Sequence, residues 1–394
     1  MNEPFTLARL LAPFDRARFL AEHWEQKPLI IRREEASYWR DLITLDDVNR
    51  VLTTRNMHHP AVGMTNASRK VTAEEYTYGS GLVDTARLYR HFAEGSTITL
   101  NGFETEHPAL ALLCRSMERE LSIRFQTNLY FTPAQAQGFR THYDSHDVFV
   151  IQVHGSKHWT LYNTPVELPY RRQEFHPDEH PVGEVTQEFV LRQGDMAYVP
   201  RGVLHDARTT GEESLHVTLG VLFSSYTDLL VEALAMVGLR DVAFRRSLPT
   251  GFARPDFDRT AVREEFRALC RRFAESADLD GALEQFVDDV VNTRQPLLPD
   301  QIDQIRALPT LTEETALTTR PAMLYRLRAE GDEVVLQVYG SQIRFPGHVR
   351  EALAWALEQP RFTAASLPGT LDAPGRLILV RRLIREGVVM LCAD

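Results

Sequence analysis

Between residues 126 and 223 the apolar residues fall into short segments of period two, and no stretch of helical period interrupts them. NLYFTP (128–133), DVFVIQVHG (147–155), HWTLYN (158–163), QEFVLRQGD (187–195), MAYVP (196–200) and LHVTLGVLF (215–223) read as strands separated by Gly, Pro and Asp turns. Consecutive strands without crossover helices do not build a parallel sheet. They predict an antiparallel sandwich or small barrel, with one face of every strand turned inward.

Helical period flanks this block on both sides. Residues 6–24, 45–55, 83–94 and 107–123 are predicted helices, with strands at 28–33 and 97–103. After Phe223 come helices at 227–239, 257–277 and 279–294, closed by the proline-rich QPLLPDQ (295–301). Residues 320–394 read as two or three strands, a helix over HVREALAWALEQP, and a helix followed by a strand in GRLILVRRLIREGVVML. The fold class is therefore mixed α and β, with three units at 1–223, 224–310 and 311–394. The middle block either pads the barrel or joins two copies of the chain. The last unit resembles a winged helix. Its arginines are matched by Glu and Asp, which favours packing or protein contact over DNA reading.

Within the strand block, THYDSHDVFVIQVHGSKHW (141–159) carries four of the chain's 14 histidines. Residues two apart in an extended segment face the same way, so His142 and Asp144 can aim a nitrogen and a carboxylate oxygen at one point. His205, in GDMAYVPRGVLHDA, is the candidate third ligand. Two histidines and one carboxylate on one face of a metal leave open positions, the arrangement of non-haem Fe(II) oxygenases. A catalytic zinc would accept the same ligands, whereas a structural zinc would need a fourth. The other histidines are weaker candidates. His146 is set against by its strand context, His154 and His158 flank a glycine turn, and His176 and His180 lie in a polar loop. His216 is either a core residue or a neighbour of the site.

Composition sharpens one further residue. Lys+Arg total 44, yet the lysines are Lys27, Lys70 and Lys157 alone. A lysine retained against arginine bias points to a role for a compact ammonium. Lys157 follows the His-x-Asp pair into the strand block, where it could pair with the far carboxylate of a 2-oxo diacid chelating the metal. Asn128 and Tyr130, alternate residues of one strand, could add hydrogen bonds.

The remaining composition excludes classes rather than choosing one. With 43% hydrophobic and 25% charged residues the chain is ordinary and globular. A net charge of −10 opposes non-specific nucleic-acid binding and suits a basic partner. Cys114, Cys270 and Cys392 have no disulfide-like spacing, which fits a reducing cytoplasm. The N-terminal stretch carries acids inside an amphipathic pattern and does not read as a signal peptide, and no apolar run predicts a membrane span.

Taken together, HYDSHDVFVIQVHGSKHWTLY and GDMAYVPRGVLH resemble the JmjC-type 2-oxoglutarate oxygenases, and most of all the ribosomal oxygenase subgroup, which hydroxylates protein side chains. FLAEHWEQKPLIIRR (19–33) is similar to that subgroup's N-terminal signature. The resemblance implies a double-stranded β-helix (cupin-like) core, a helical dimerisation block and a C-terminal winged helix. It implies Fe(II) on His142, Asp144 and His205, 2-oxoglutarate on Lys157 with Asn128 nearby, O2 as oxidant, and Tyr130 near the substrate. It further implies a homodimer acting on a protein substrate, a ribosomal one, at an arginine or histidine side chain. Two positions depart from the pattern. Gly220 stands where some members carry a serine, and Thr99 where some carry glutamine; both bear on the substrate more than on the chemistry. Rival readings are a cupin metalloenzyme without a 2-oxo acid, a JmjC demethylase of the same iron chemistry, and a peptide-binding module without catalysis.

Overall fold

The computed structural model describes residues 5–171 and 173–392. The first four residues of the amphipathic N-terminal stretch lie outside that range. Eight strands form one antiparallel sheet: β1 (Leu29–Ile31), β2 (Val62–Thr65), β3 (Thr97–Asn101), β4 (Arg124–Thr132), β5 (Asp147–Leu161), β6 (Gln187–Arg192), β7 (Met196–Val199) and β8 (His205–Leu222). Their order is β1-β7-β5-β8-β4-β3-β2, with β6 also paired to β5. The core is the antiparallel barrel that the alternation predicts.

Two long strands turn this sheet into a container. The first half of β5 pairs with β7, its second half pairs with β6, and β8 runs beside both halves. The sequence suggests two strands, at 147–155 and 158–163; the structure makes them one continuous strand bent in the middle. Register shifts between Gln152 and His154 and between Gly155 and Lys157 accommodate the bend. Gly155 has φ 62°, and a Cβ there would stand 1.8 Å from the Glu213 carbonyl oxygen, so no side chain fits. Likewise β8 begins ten residues before the predicted 215, because its first half pairs with residues beyond the bend of β5.

Inside the sheet, Val148, Val150, Trp159, Leu161, Phe189, Leu191, Ala197 and Val199 form one apolar cluster. Outside it, the N-terminal segment covers the β7 side. Phe19 packs edge-on to Tyr198 with ring centroids 4.9 Å apart, and Trp39 Nε1 donates to the Asp195 carbonyl at 3.2 Å. The predicted helix over 6–24 is two helices, Leu7–Leu11 and Arg16–Glu22. Pro13 has no N–H to continue the first, and Asp15 caps the second by accepting from the Arg18 N–H at 2.8 Å.

By proximity of their residues the described residues fall into two compact units. One comprises 1–222, 297–324 and 351–394; the other comprises 223–296 and 325–350. The compact units divide after 222, 296, 324 and 350, a different partition of the chain from the expected 1–223, 224–310 and 311–394. In the second unit, helices Tyr226–Arg240, Thr260–Ser276 and Leu279–Asn292 join a three-stranded meander of β10 (Tyr325–Glu330), β11 (Glu333–Val338) and β12 (Ser341–Pro346). The reason is visible in the side chains. Arg326 and Arg328 of β10 reach Glu284 on helix Leu279–Asn292 at 2.6 and 3.0 Å, and Arg328 also reaches Asp288 at 3.1 Å. The first unit keeps β9 (Leu317–Thr319), paired with β13 (Val389–Leu391), and helix Ala373–Arg385.

Candidate metal centre

The loop that enters β5 carries two of the predicted ligands and the start of β8 carries the third. His142 and His205 form an isolated antiparallel bridge, which brings the loop onto the strand. Asp144 is held by its own backbone, whose carbonyl accepts from the Gly202 N–H at 3.1 Å. The result is a cluster in which one ligand atom from each of His142, Asp144 and His205 lies within 4.8 Å of the others. His142 Nε2 is 3.8 Å from Asp144 Oδ1, and His205 Nε2 is 3.8 Å from Asp144 Oδ2.

Both imidazoles are oriented by the main chain. His142 Nδ1 lies 2.8 Å from the Arg140 carbonyl and His205 Nδ1 2.9 Å from the Val203 carbonyl. A proton on each Nδ1, bonded to its carbonyl, leaves the Nε2 lone pairs directed at the carboxylate side. Electrostatics agree. Burial holds the His205 imidazole below its ordinary pKa, and His142 adds to the effect while Asp144 opposes it. Burial alone would raise the Asp144 carboxyl, but the three imidazoles of His205, His142 and His146 outweigh it and hold it low. A neutral histidine beside an ionised carboxylate is the protonation state a divalent cation requires.

The cluster opens into a cavity of about 260 Å³ lined by both halves of β5 and β8, by Tyr130 of β4 and by the 138–146 segment. Val148 and Val150 face it from the first half of β5, Lys157 and Trp159 from the second. The inward set therefore changes from even to odd numbers along one strand, and the shift between Gln152 and His154 makes the change. Without it Lys157 would face out.

Lys157 is 4% exposed, and its ammonium donates to Thr132 Oγ1 at 3.1 Å. Among the described residues no carboxylate lies within ion-pair distance of it. Burial lowers its pKa to about 7. A buried cation without an acid is unfavourable unless an anion is supplied to it. Two more polar atoms of the lining, Trp159 Nε1 and His216 Nδ1, are buried without a hydrogen-bond partner. The donor set and these unmatched groups fit a divalent metal at one end and an anionic, hydrogen-bonding molecule beside it.

The other predicted residues separate. Tyr130 lines the cavity, stacked on His216 at 4.9 Å. Burial first, and Asp144 second, raise its hydroxyl far above the ordinary range, so the phenol stays neutral. Asn128, two residues back on the same face, is not part of the lining; its Oδ1 accepts from the Gly102 N–H at 3.1 Å. His146 also lines the cavity and lies against Gly220, where a Cβ would come 2.9 Å from its ring. The glycine that departs from the family pattern thus leaves room for this imidazole. Thr99 is buried opposite Gly63 and Tyr130 in the sheet, away from the lining. His154 stays partly exposed and pairs with Glu213 at 3.4 Å. Sequence reasoning did not pick out Trp159, Phe139 or Asp206. Asp206 follows a ligand directly and Trp159 shares the parity of Lys157, but only the bend in β5 shows which way either points.

Residues 100–229 match the JmjC domain family. They contain the metal cluster, Lys157 and most of the barrel. The chain is 28% identical over 315 residues to a bifunctional lysine-specific demethylase and histidyl-hydroxylase NO66 of Aedes aegypti, covering 76% of this chain and 48% of the relative. It is 29% identical over 252 residues to ribosomal oxygenase 2 of Mus musculus, covering 61% and 53%. The chain thus spans about half the length of the curated relatives it matches. Among solved structures, the ribosomal oxygenase YcfD of Escherichia coli matches with a TM-score of 0.58 at 18% identity, over 96% of this chain and 98% of that one. A YcfD structure in complex with cobalt and 2-oxoglutarate matches with a TM-score of 0.53 at 16% identity, over 97% and 99%. These likenesses establish that the JmjC barrel and its flanking elements share the YcfD fold. Within the described residues, no helix is long and apolar enough to cross a membrane.

Proposed function

We propose that the chain is an Fe(II)- and 2-oxoglutarate-dependent oxygenase that hydroxylates a side chain of a protein substrate, a ribosomal protein. The observation that carries this reading is the pairing of the three-ligand cluster with a buried, acid-free Lys157 in one cavity. A metalloenzyme that takes no 2-oxo diacid has no use for the lysine, and a module without catalysis has no use for the open ligand set. Relatives named as histidyl-hydroxylase and ribosomal oxygenase, and a structural neighbour solved with 2-oxoglutarate, support the same reading.

In this reading His142, Asp144 and His205 hold iron, and Lys157 receives the distal carboxylate of 2-oxoglutarate. The chemistry such an ion supplies when bound is reduction of O2 coupled to oxidation of 2-oxoglutarate, with succinate and CO2 released and one oxygen atom inserted into a C–H bond of the target. The protein's own part is placement. Lys157 and Thr132 fix one end of the diacid, and Val148, Val150 and Trp159 keep water from the space between. Tyr130, a neutral phenol at the mouth, can hydrogen-bond the incoming side chain without adding charge.

A second groove, about 730 Å³, suits the flanks of a substrate polypeptide. It is lined by Gln135–Gln137 and Arg208–Thr210, which continue the same two segments that supply Phe139 and Asp206 to the cavity. The loop after β5 also approaches the centre, since Phe175 and His180 stack on each other and both meet the Tyr143 ring edge-on, at 5.5 and 5.4 Å.

The homodimer belongs to the same reading. On helix Tyr226–Arg240 one face is buried at Ala233 and Val237 yet bare at Tyr226 and Leu230, which are 85% and 56% exposed. A second copy of the chain is the partner that would cover it. The free thiols Cys114, Cys270 and Cys392 are in keeping with a reducing compartment such as the cytoplasm.

The test is turnover on ribosomal proteins. With Fe(II), 2-oxoglutarate and air, the purified chain should release succinate, with a 16 Da gain on one ribosomal protein read by mass spectrometry. Formaldehyde release would instead assign demethylation. Absence of both, with metal bound, would reject the oxygenase reading.

A further inference from the structure

None of the described residues of the N-terminal stretch 19–33 lines the cavity. The stretch reaches the metal centre indirectly. Glu25 sits between helix Arg16–Glu22 and β1, and its carboxylate meets the Arg201 guanidinium at 2.7 Å. The same guanidinium meets Asp147, the first residue of β5, at 3.0 Å. Asp147 is fully buried and accepts twice more, from the Arg201 N–H at 2.9 Å and from the Tyr198 hydroxyl at 2.9 Å. Tyr198 in turn accepts from the Glu25 N–H at 2.8 Å, which closes the ring of contacts. Arg201 itself lies in the turn between β7 and β8, and that turn holds two members of the metal cluster. The Gly202 N–H donates to the Asp144 carbonyl, and the Val203 carbonyl orients the His205 imidazole.

We infer that Glu25, Arg201 and Asp147 are positioning residues of the metal centre, which fix the 200–203 turn and through it set the Asp144 carboxylate and the His205 ring. This rests on the oxygenase reading in taking the cluster to bind a divalent metal. A purely structural role does not account for these residue types. Glu25 has φ 57°, a left-handed conformation in which glycine is the default residue. A side chain is kept there in spite of the strain, and its carboxylate is the group in use. Arg201 and Asp147 are 7% and 0% exposed. Apolar groups of similar volume often stabilise a fold as well as a buried ion pair does, or better. What the pair adds is direction. A guanidinium is a rigid fork; here two carboxylates hold it, and one of them also takes the backbone N–H of the same residue. The turn is thereby clamped by main chain and side chain one residue from the Gly202 N–H. A shift there moves the Asp144 backbone and the Val203 carbonyl together, so it disturbs two ligands at once.

Co(II) added to the full chain provides the readout. Its visible absorption reports the ligand geometry and its titration gives the affinity, both without turnover. Glu25→Gln keeps the size of the side chain and removes the charge that Arg201 faces. It should weaken Co(II) binding about threefold or more and alter the absorption of the bound ion. Arg201→Lys keeps the charge and removes the fork, and should weaken binding about tenfold or more with a larger spectral change. Glu22→Gln is the control. Its carboxylate pairs with Arg18 and Lys27 on the same segment, and the variant should keep the spectrum and affinity of the unaltered chain. Thermal melts of the metal-free proteins show which variants fold. Should Arg201→Lys not fold, Glu25→Gln decides the matter, because its side chain is 37% exposed and its loss leaves no buried charge of its own. An unchanged Co(II) spectrum and affinity in Glu25→Gln, whatever its melting temperature, would overturn the inference in favour of a structural role. An equal change in Glu22→Gln would overturn it too, since the effect would then be one of surface charge. Failure of the unaltered chain to bind Co(II) would instead count against the oxygenase reading, and the inference would fall with it.

Discussion

His142 and His205 hold each other twice through the main chain: the His142 N–H donates to the His205 carbonyl at 3.1 Å, and the His205 N–H donates to the His142 carbonyl at 2.8 Å. Their rings lie 4.7 Å apart in consequence, with Asp144 facing both. The ligand geometry is thus part of the backbone ladder and exists before any ion arrives. Asp144→Ala should leave the fold intact, because the backbone bonds that place the site remain. Affinity for Fe(II) or Mn(II) should fall by more than about a hundredfold, beyond the loss caused by removing groups that merely orient ligands. Calorimetric metal titration against a thermal melt checks both halves.

Lys157 makes co-substrate binding depend on pH. With its pKa near 7 when unliganded, the lysine is cationic below that value and neutral above it. A carboxylate requires the cation, so above pH 7 binding must take up a proton. Affinity for 2-oxoglutarate should then fall by up to about tenfold per pH unit above 7. Calorimetry in buffers of different ionisation enthalpy reads the proton uptake directly. Lys157→Met should abolish that uptake and weaken binding at pH 6.5. The same group acts on stability with the opposite sign to a paired lysine. Its folded pKa lies below its unfolded one, so the unfolded chain binds more protons between pH 7 and about 10.5. The unliganded protein should therefore gain stability as pH rises through that window, and Lys157→Met should flatten the gain.

Gly155→Ala tests the bend of β5. The substitution combines a positive φ with a direct clash on the Glu213 carbonyl. A loss of about 2–4 kcal/mol is expected from the two together. Denaturant unfolding gives the stability. Because the bend also aims Lys157, the variant's affinity for 2-oxoglutarate should drop even where it remains folded.

The bare helix face predicts self-association. Leu230→Asp with Tyr226→Asp places charge where a second copy would pack, so the doubly substituted chain should sediment as a monomer at micromolar concentration and the unaltered chain as a dimer. Monomeric behaviour of both would leave the face without its proposed partner.

Much of this was readable in residues. Alternation from 126 to 223 carries the barrel, and the His-x-Asp spacing with a later histidine carries the cluster, because both are period-two arguments within single strands. The interior of the cavity was less legible. Trp159 and Asp206 depend on which face a bent strand turns inward, and local period cannot report an odd residue absorbed in a bulge. The make-up of the helical unit was hidden for a different reason. Arg326 and Arg328 select Glu284 and Asp288 from some forty residues earlier, so the meander joins the helical block rather than the segments that follow it. Asn128 reaches the cavity through a neighbour: its side chain hydrogen-bonds Tyr130 while its amide oxygen accepts from the Gly102 N–H.

The odd residue in β5 has a genetic corollary. A chain lacking Val153 would lose one of the two register shifts, yet its lysine would still face the cavity, because the bulge absorbs one residue without changing what comes after it. The interval from the first histidine to the lysine can therefore shrink by one residue with the lysine still on the cavity side.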